Sequence, residues 1–413
     1  MNSPAQDPQE VLNQISIAHQ PIVDAHKTVV AYELFNRSQS ASGHSLASDT
    51  SLVLNAIVNN GAPFSLSKKD LFINAMHQSL TGTHWDFLTP ERTIIKVPPV
   101  AKHDATAIEA AVKTLTELRT RGFRLSFHHL VVAPIYKAWW PLASFVKVDT
   151  TSVKREQLGP LVAAIKARTS AMPVAEKVET GEQFEMLRTL GVDRFQGYWF
   201  SVPEVVKPRV LSPGQLSAVQ LFNLVSKAAD IEEVEDALKK DAALGVNLLR
   251  IINSAGVGLP QKVTSLRQAV MLMGYEKLAR WSAMLLATAS PDQSSMLSAS
   301  AVVRGRLMEL LAEQDSSKPD SGSAFLVGLL SHIDRMLGTP MAQALEQLSL
   351  ADEVTSALLT SEGKFANILA LAVACESEDD AAFSQAFHTL DYSLRQINIA
   401  HMDALAWADS VIQ

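Results

Sequence analysis

The chain, 413 residues long, predicts a two-domain fold: an α/β domain in its first half and an all-helical domain in its second. Three observations predict it. Short strand-like runs alternate with helical patterns up to about residue 200. Residues 201–214 then hold Pro203, Pro208, Pro213 and Gly214, a linker composition. Beyond them strand signals fade and apolar residues recur at helical spacing.

The expected strands are residues 15–23, 28–35, 71–74, 93–97, 123–127, 145–148, 174–178 and 194–200. The first two flank a short polar connection, residues 24–27, and read as an antiparallel hairpin. Residues 107–119 read as a helix with Ala107, Ile108, Ala111, Val112, Leu115 and Leu118 as its apolar residues. Residues 173–203, PVAEKVETGEQFEMLRTLGVDRFQGYWFSVP, read as strand, helix, strand. Phe184, Leu187, Leu190 and Val192 form a stripe close to helical spacing, and Gly191 ends the helix. An intervening helix lets the two strands run parallel. Polar residues near strand ends then suggest one unit of a TIM-like (β/α)₈ barrel, whose chemistry sits at the strands' C-terminal ends.

Composition narrows the function classes. The chain is 47% hydrophobic and 19% charged, enough to bury large cores. It carries 36 Lys+Arg against 43 Asp+Glu, a formal charge of −7, with no basic stripe, which argues against a nucleic-acid partner. The lone Cys375 lies in an apolar run and reads as a core residue. The N-terminal MNSPAQDPQEVL has neither the basic end nor the apolar centre of a signal peptide, and residues 1–12 read as a flexible end. The longest apolar zone, residues 269–289, is interrupted by Glu276, Lys277 and Arg280. These features predict a cytoplasmic protein without membrane insertion.

EKVE followed by FQGYWFSVP resembles the end of a bacterial EAL domain, the cyclic-di-GMP phosphodiesterase barrel. HQPIVD at 19–24, YELFNR at 32–37, FINA at 72–75 and FVKVD at 145–149 match earlier strands of that family, so the likeness covers about residues 15–203. The resemblance implies active-site positions at Glu33, Asn74, Lys147, Glu176, Glu179 and Gln196, a phosphate contact from Arg37 and a base contact from Gln20. The departures are as informative. Lys96 and Pro99 stand where the family carries acids, and His128 and His129 replace its paired aspartates, so four carboxylates are missing. Hard divalent ions need anionic oxygen ligands, so neither a metal nor catalysis is expected. Two readings are open for the lysines. Lys96 and Lys147 are counter-ions for Glu33 and Glu176, or they join Gln20 and Arg37 as an anion site. Adjacent strand residues point to opposite faces, so His128 and His129 are not expected to share an ion. The apolar stretch 130–141 carries Tyr136, Trp139 and Trp140, which are either buried or a protein-contact surface.

In the second half, residues 231–240, 242–253, 266–273, 278–288, 324–337, 341–348, 353–359, 365–376 and 390–410 read as helices. DAALGVNLLRIINSAGVGLPQKVTSLRQAVMLMGYEKLARW resembles the HDOD domain, a relative of the HD phosphohydrolases, with Asn253-Ser254-Ala255 and Gly274 as its most specific points. GLLSHIDR at 328–335 aligns with the HD metal helix but places Ser331 and His332 on the His-Asp pair. His332 and Asp334 are therefore expected to be surface or capping residues. The order EAL-like then HDOD resembles the EAL–HDOD signalling proteins. That implies residues 13–203 as a degenerate EAL domain, 204–213 as linker and 214–413 as HDOD domain. The expected function is a non-catalytic regulator in cyclic-di-GMP-related signalling, acting through protein partners and needing no cofactor. Cyclic-di-GMP sensing without turnover and weak metal-dependent hydrolysis are the alternatives.

Overall fold

The computed structural model describes residues 15–38, 69–101, 104–197, 212–253, 262–288, 295–315, 319–377 and 379–411. The expected flexible end and most of the expected linker lie outside them. Eight strands close into a barrel: β1 (Ile15–Asp24), β2 (Val29–Ser38), β3 (Asp70–Asn74), β4 (Thr93–Val97), β5 (Arg124–His128), β6 (Ala143–Asp149), β7 (Met172–Glu176) and β8 (Arg194–Phe195). β1 is antiparallel to both β2 and β8, and the remaining neighbours are parallel. The reversal follows from a tight turn. Asp24 Oδ1 accepts the amide hydrogens of His26 and Thr28 at 2.8 and 2.9 Å, and Lys27 takes a left-handed φ of 62°. So short a connection joins only antiparallel strands.

Strand periodicity builds the interior. Ile22, Ala31, Phe72, Ile94, Phe145 and Val174 form one apolar cluster. Two residues further along five of these strands stand Glu33, Asn74, Lys96, Lys147 and Glu176. Because side chains alternate with a period of two, those positions share the inward face. The alternate residues, such as Tyr32, Ile73, Ile95, Val146 and Ala175, belong to the core outside the barrel.

Three helices follow barrel strands: α1 (Ala105–Thr120), α2 (Arg155–Arg168) and α3 (Gly181–Thr189). Asp104 caps α1 by accepting from Thr106 and Ala107, and Thr180 with Gln183 forms a capping box on α3. The second half is all-helical: α4 (Pro213–Ser226), α5 (Ile231–Lys240), α6 (Ala242–Ile252), α7 (Leu266–Met273), α8 (Tyr275–Thr288), α9 (Ser295–Gln314), α10 (Ser321–Leu330), α11 (Ile333–Leu337), α12 (Met341–Glu346), α13 (Asp352–Leu359), α14 (Lys364–Cys375), α15 (Asp380–His388) and α16 (Leu394–Val411). The sequence reading assigned neither α2, α9 nor α15. α9 carries no strong apolar stripe because Ala301, Val302, Val303, Leu307, Met308 and Leu311 are buried around much of its circumference. The single helix expected over residues 324–337 is two, because Ser331 Oγ turns back to Gly328 O at 2.7 Å and the backbone breaks at His332.

The core does not divide with the chain. One apolar cluster runs from the barrel through α9, α10, α14 and α16, and Cys375 lies in it. A second, smaller cluster holds Leu221, Val234, Leu248, Val270 and Leu278 of α4–α8. Among the described residues, no single helix is long and apolar enough to cross a membrane.

α9 and α10 cross at two glycines. A Cβ on Gly328 would stand 2.6 Å from the Arg304 carbonyl oxygen and 2.7 Å from Gly305 Cα, both backbone atoms. Gly328→Ala is therefore expected to push the helices apart and destabilise the protein by about 1–3 kcal/mol, read as a lower urea midpoint of the helical signal.

Candidate functional site

Above its apolar floor the barrel carries a polar layer. Glu33 on β2 pairs in register with Gln20 on β1, Asn74 on β3 with Lys96 on β4, and Lys147 lies on β6. Glu176 ends β7, and Gln196 follows β8. The next residue must be glycine: a Cβ on Gly197 would lie 2.3 Å from the Val178 backbone. This contact brings the Gln196 carbonyl to the Val178 amide at 3.0 Å and fixes where Gln196 enters the barrel.

The charges in this layer neutralise one another. Lys147 Nζ donates to Glu33, to Glu176 Oε1 at 2.8 Å and to Gln196 Oε1 at 2.8 Å. Lys96 Nζ donates to Glu33 Oε1 and Glu176 Oε1, both at 3.0 Å. Gln196 Nε2 donates to Glu33 Oε2 at 2.6 Å and Gln20 Oε1 at 2.7 Å. Glu33 and Lys147 are wholly buried, whereas the Lys96 side chain is 25% exposed. Burial pushes the Glu33 carboxyl up, but the ammonium groups of Lys147 and Lys96 outweigh it and hold it below the ordinary range. Burial likewise opposes ionisation of Glu176, yet the same two lysines bring it down to about 2. Burial disfavours the charged Lys96, but Glu33 and Glu176 raise it above the ordinary lysine range.

Of the two readings open for the lysines, the one seen in this geometry is that of counter-ions for Glu33 and Glu176, which bears on the alternative anion site at Gln20, Arg37, Lys96 and Lys147. All three N–H groups of Lys147 go to protein acceptors and Gln20 is tied to Gln196, so neither faces a ligand as a free group. The Arg37 side chain lies outside the described residues. Glu179 is exposed past the end of β7. His128 and His129 do not diverge as expected. β5 ends at His128 and a 3₁₀ turn begins at His129, so strand alternation stops between them and the rings meet at 4.0 Å. Burial holds His128 below its ordinary range; burial and the His128 ring bring His129 down to about 4. Of the aromatic loop, Tyr136 and Trp139 are buried, bonding Val100 N at 3.1 Å and Ile108 O at 3.0 Å. Trp140 is half-buried under Arg168. Tyr136 and Trp139 therefore offer no contact surface.

Further polar groups were not singled out in the sequence. Lys177, with φ 57°, donates to Asp149 Oδ2 at 2.8 Å beside the layer. In the helical half, Arg304 grips Glu376 in a bidentate pair at 2.8 and 2.7 Å and reaches Ser331 Oγ at 2.7 Å. His332 lies 3.5 Å from Ser300 Oγ; of the surface and capping positions expected, it takes the N-cap of α11, buried and without a side-chain capping bond. Burial first, then Arg304 and Arg335, holds it well below the ordinary histidine range. No local pattern joins Arg304 to Glu376, which is 72 positions away.

Residues 216–376 match the HDOD domain family, directly after a barrel whose first strand is reversed. The match spans the helical half from α4 to the end of α14. The chain is 28% identical over 403 residues to cyclic di-GMP phosphodiesterase CdgJ of Vibrio cholerae serotype O1, covering 96% of this chain and 92% of that one. It is 26% identical over 413 residues to the uncharacterized protein YuxH of Bacillus subtilis strain 168, covering 97% and 99%. Among solved structures it is similar to an EAL domain protein of Listeria monocytogenes EGD-e, at 21% identity and TM-score 0.38, covering 49% of this chain and 94% of that one. It is also similar to the FimX EAL domain of Pseudomonas aeruginosa bound to c-di-GMP, at 20% identity and TM-score 0.38, covering 48% and 94%.

The expectation of a chain without enzymatic activity is overturned by the first of these relatives, a named phosphodiesterase matched along nearly all of this sequence. The metal ions of the EAL family are a separate question. Their oxygen donors would be Glu33, Asn74 and Glu176, but two ammonium groups bridge the two carboxylates. Among the described residues no group of three or more His, Cys, Asp or Glu is placed to hold a metal ion. The donor set of this barrel does not fit such an ion.

Removing one partner of a buried pair leaves the other uncompensated. Lys147→Met is expected to lower stability by about 3–5 kcal/mol in urea titrations at neutral pH. In the wild type, the unfolded chain protonates Glu176 near its ordinary 4.5 while the fold holds it ionised down to about 2. This carboxylate's contribution is therefore complete above pH ~4.5 and is lost as pH falls toward 2.

Proposed function

We propose that this chain works in cyclic-di-GMP signalling and that the barrel mouth is where it meets the dinucleotide. The observation that carries the reading is the alignment of 96% of the chain with a relative named a cyclic di-GMP phosphodiesterase. The chemistry of the mouth supports it. Lys96 uses two N–H groups on Glu33 and Glu176 and, among the described residues, keeps the third for a phosphate oxygen. Asn74 stands beside it in register on β3, and His128 ends the neighbouring strand β5, in register with Lys147. In this reading the helical half faces protein partners, and Val246 of α6 with Met271 and Leu272 of α7 are among its exposed apolar residues.

Calorimetry with cyclic di-GMP, run beside a chromatographic assay for the linear dinucleotide in Mn²⁺ buffer, tests the proposal. The wild type is expected to bind, and Lys96→Met to bind about tenfold more weakly, ~1.4 kcal/mol. Folded protein giving neither binding heat nor linear product would end this reading.

A further inference from the structure

β1 is held from two sides, and one of them belongs to the far end of the chain. Among the described residues β8 pairs with β1 only at Val23 and Asp24. The rest of that edge needs other partners, since a buried backbone group without one costs free energy. α16 supplies them. The Ile17 amide donates to Asn398 Oδ1 at 2.9 Å, and His401 Nδ1 donates to the Ile17 carbonyl at 3.2 Å. A carbonyl only accepts, so with the His401 ring neutral its Nε2 is an acceptor, and His19 Nδ1 donates to it at 2.6 Å. Asn398 and His401 are wholly buried. Lys69, just before β3, forms an ion pair with Asp409 of the same helix.

The residue after His19 is Gln20. It turns inward, accepts from Gln196 and stands opposite Glu33 in the β1–β2 register. Outside the barrel, the Tyr32 ring lies 5.6 Å from His19. A cavity of ≈ 20 Å³ open to the centre of a water molecule lies along this seam, lined by Gln20 and Gly197 of the barrel and by Ser300 and Glu376 of the helices. Glu376 is the partner of Arg304, so the seam joins the polar layer of the barrel to the buried ion pair of the helical half.

We propose that Asn398 and His401 are positioning residues for the barrel mouth: by fixing the backbone of Ile17–His19 from outside, they set where Gln20 meets Gln196 and Glu33 inside. The helical half then controls the mouth through one strand. A displacement of α16 moves Gln20, and occupation of the mouth strains α16, with equal coupling in both directions. The link to ligand affinity rests on the reading of the mouth as the dinucleotide site; the link from α16 to the polar layer does not.

The test uses the full-length protein carrying His401→Phe, which keeps a ring and loses both hydrogen bonds, or His401→Gln, which keeps a donor and an acceptor. Asn398→Ala serves as an independent variant. Hydrogen exchange is followed in segments 15–24 and 192–197, with segment 321–330 as the control for global folding. Expected are at least tenfold faster exchange in both test segments for His401→Phe and Asn398→Ala, recovery in His401→Gln, an unchanged control, and a parallel fivefold or greater loss of cyclic-di-GMP affinity. Faster exchange confined to 15–24, with 192–197 at the wild-type rate, would overturn the positioning role. So would faster exchange shared equally by the control, or unchanged affinity in a wild type that binds. A wild type that binds no dinucleotide would defeat the functional reading alone, and the exchange rates would still decide this one.

Discussion

A carboxylate with no access to water, Glu33, is the constraint around which the barrel is arranged. It sits one inward step above an apolar layer, where an isolated charge would be strongly disfavoured. The protein answers with Lys147, itself fully enclosed, and with Lys96 at the solvent side. Because the four charges arise on β2, β4, β6 and β7, three of the four ion pairs tie non-adjacent strands across the barrel as well as neutralising each other. Gln196 completes the arrangement by donating to Glu33 and accepting from Lys147 with one amide. That requires a residue with no side chain two places past the end of β8, which is the role of Gly197.

The helical half solves a similar problem. Arg304 lies in the core between α9, α10 and the end of α14, and its planar guanidinium matches the Glu376 carboxylate with two parallel bonds. Ser300 and Ser331 satisfy further polar groups, and His332 stays neutral beside them. Each half thus buries a cation against a carboxylate, and both clusters approach the seam between the halves.

Much of this was legible in the sequence, for a physical reason. Five strands carry the same inward triplet, an apolar residue followed two places on by a polar one: Ala31 to Glu33, Phe72 to Asn74, Ile94 to Lys96, Phe145 to Lys147 and Val174 to Glu176. A period of two forces those residues onto one face, so the positions that the family resemblance implied fall in a single layer once the strands are identified. The reversed first strand was legible because residues 24–27 are too few for a crossover. The histidine pair was misread because strand alternation was carried one residue past the end of β5. α9 was missed because a helix buried around most of its surface shows no amphipathic period. The grip of Arg304 on Glu376 and of α16 on β1 left no signal at all, since both join residues far apart in the chain.

That last separation bears on how the molecule is made. His19 leaves the ribosome 382 residues before His401. At roughly 5–20 residues per second, the N-terminal strand waits about 20–80 s for the helix that caps its edge. Throughout that interval it offers unpaired backbone groups to any passing strand. Pro21, which has no amide hydrogen to give, is a blunt spot in the middle of that exposed edge during the nascent chain's wait.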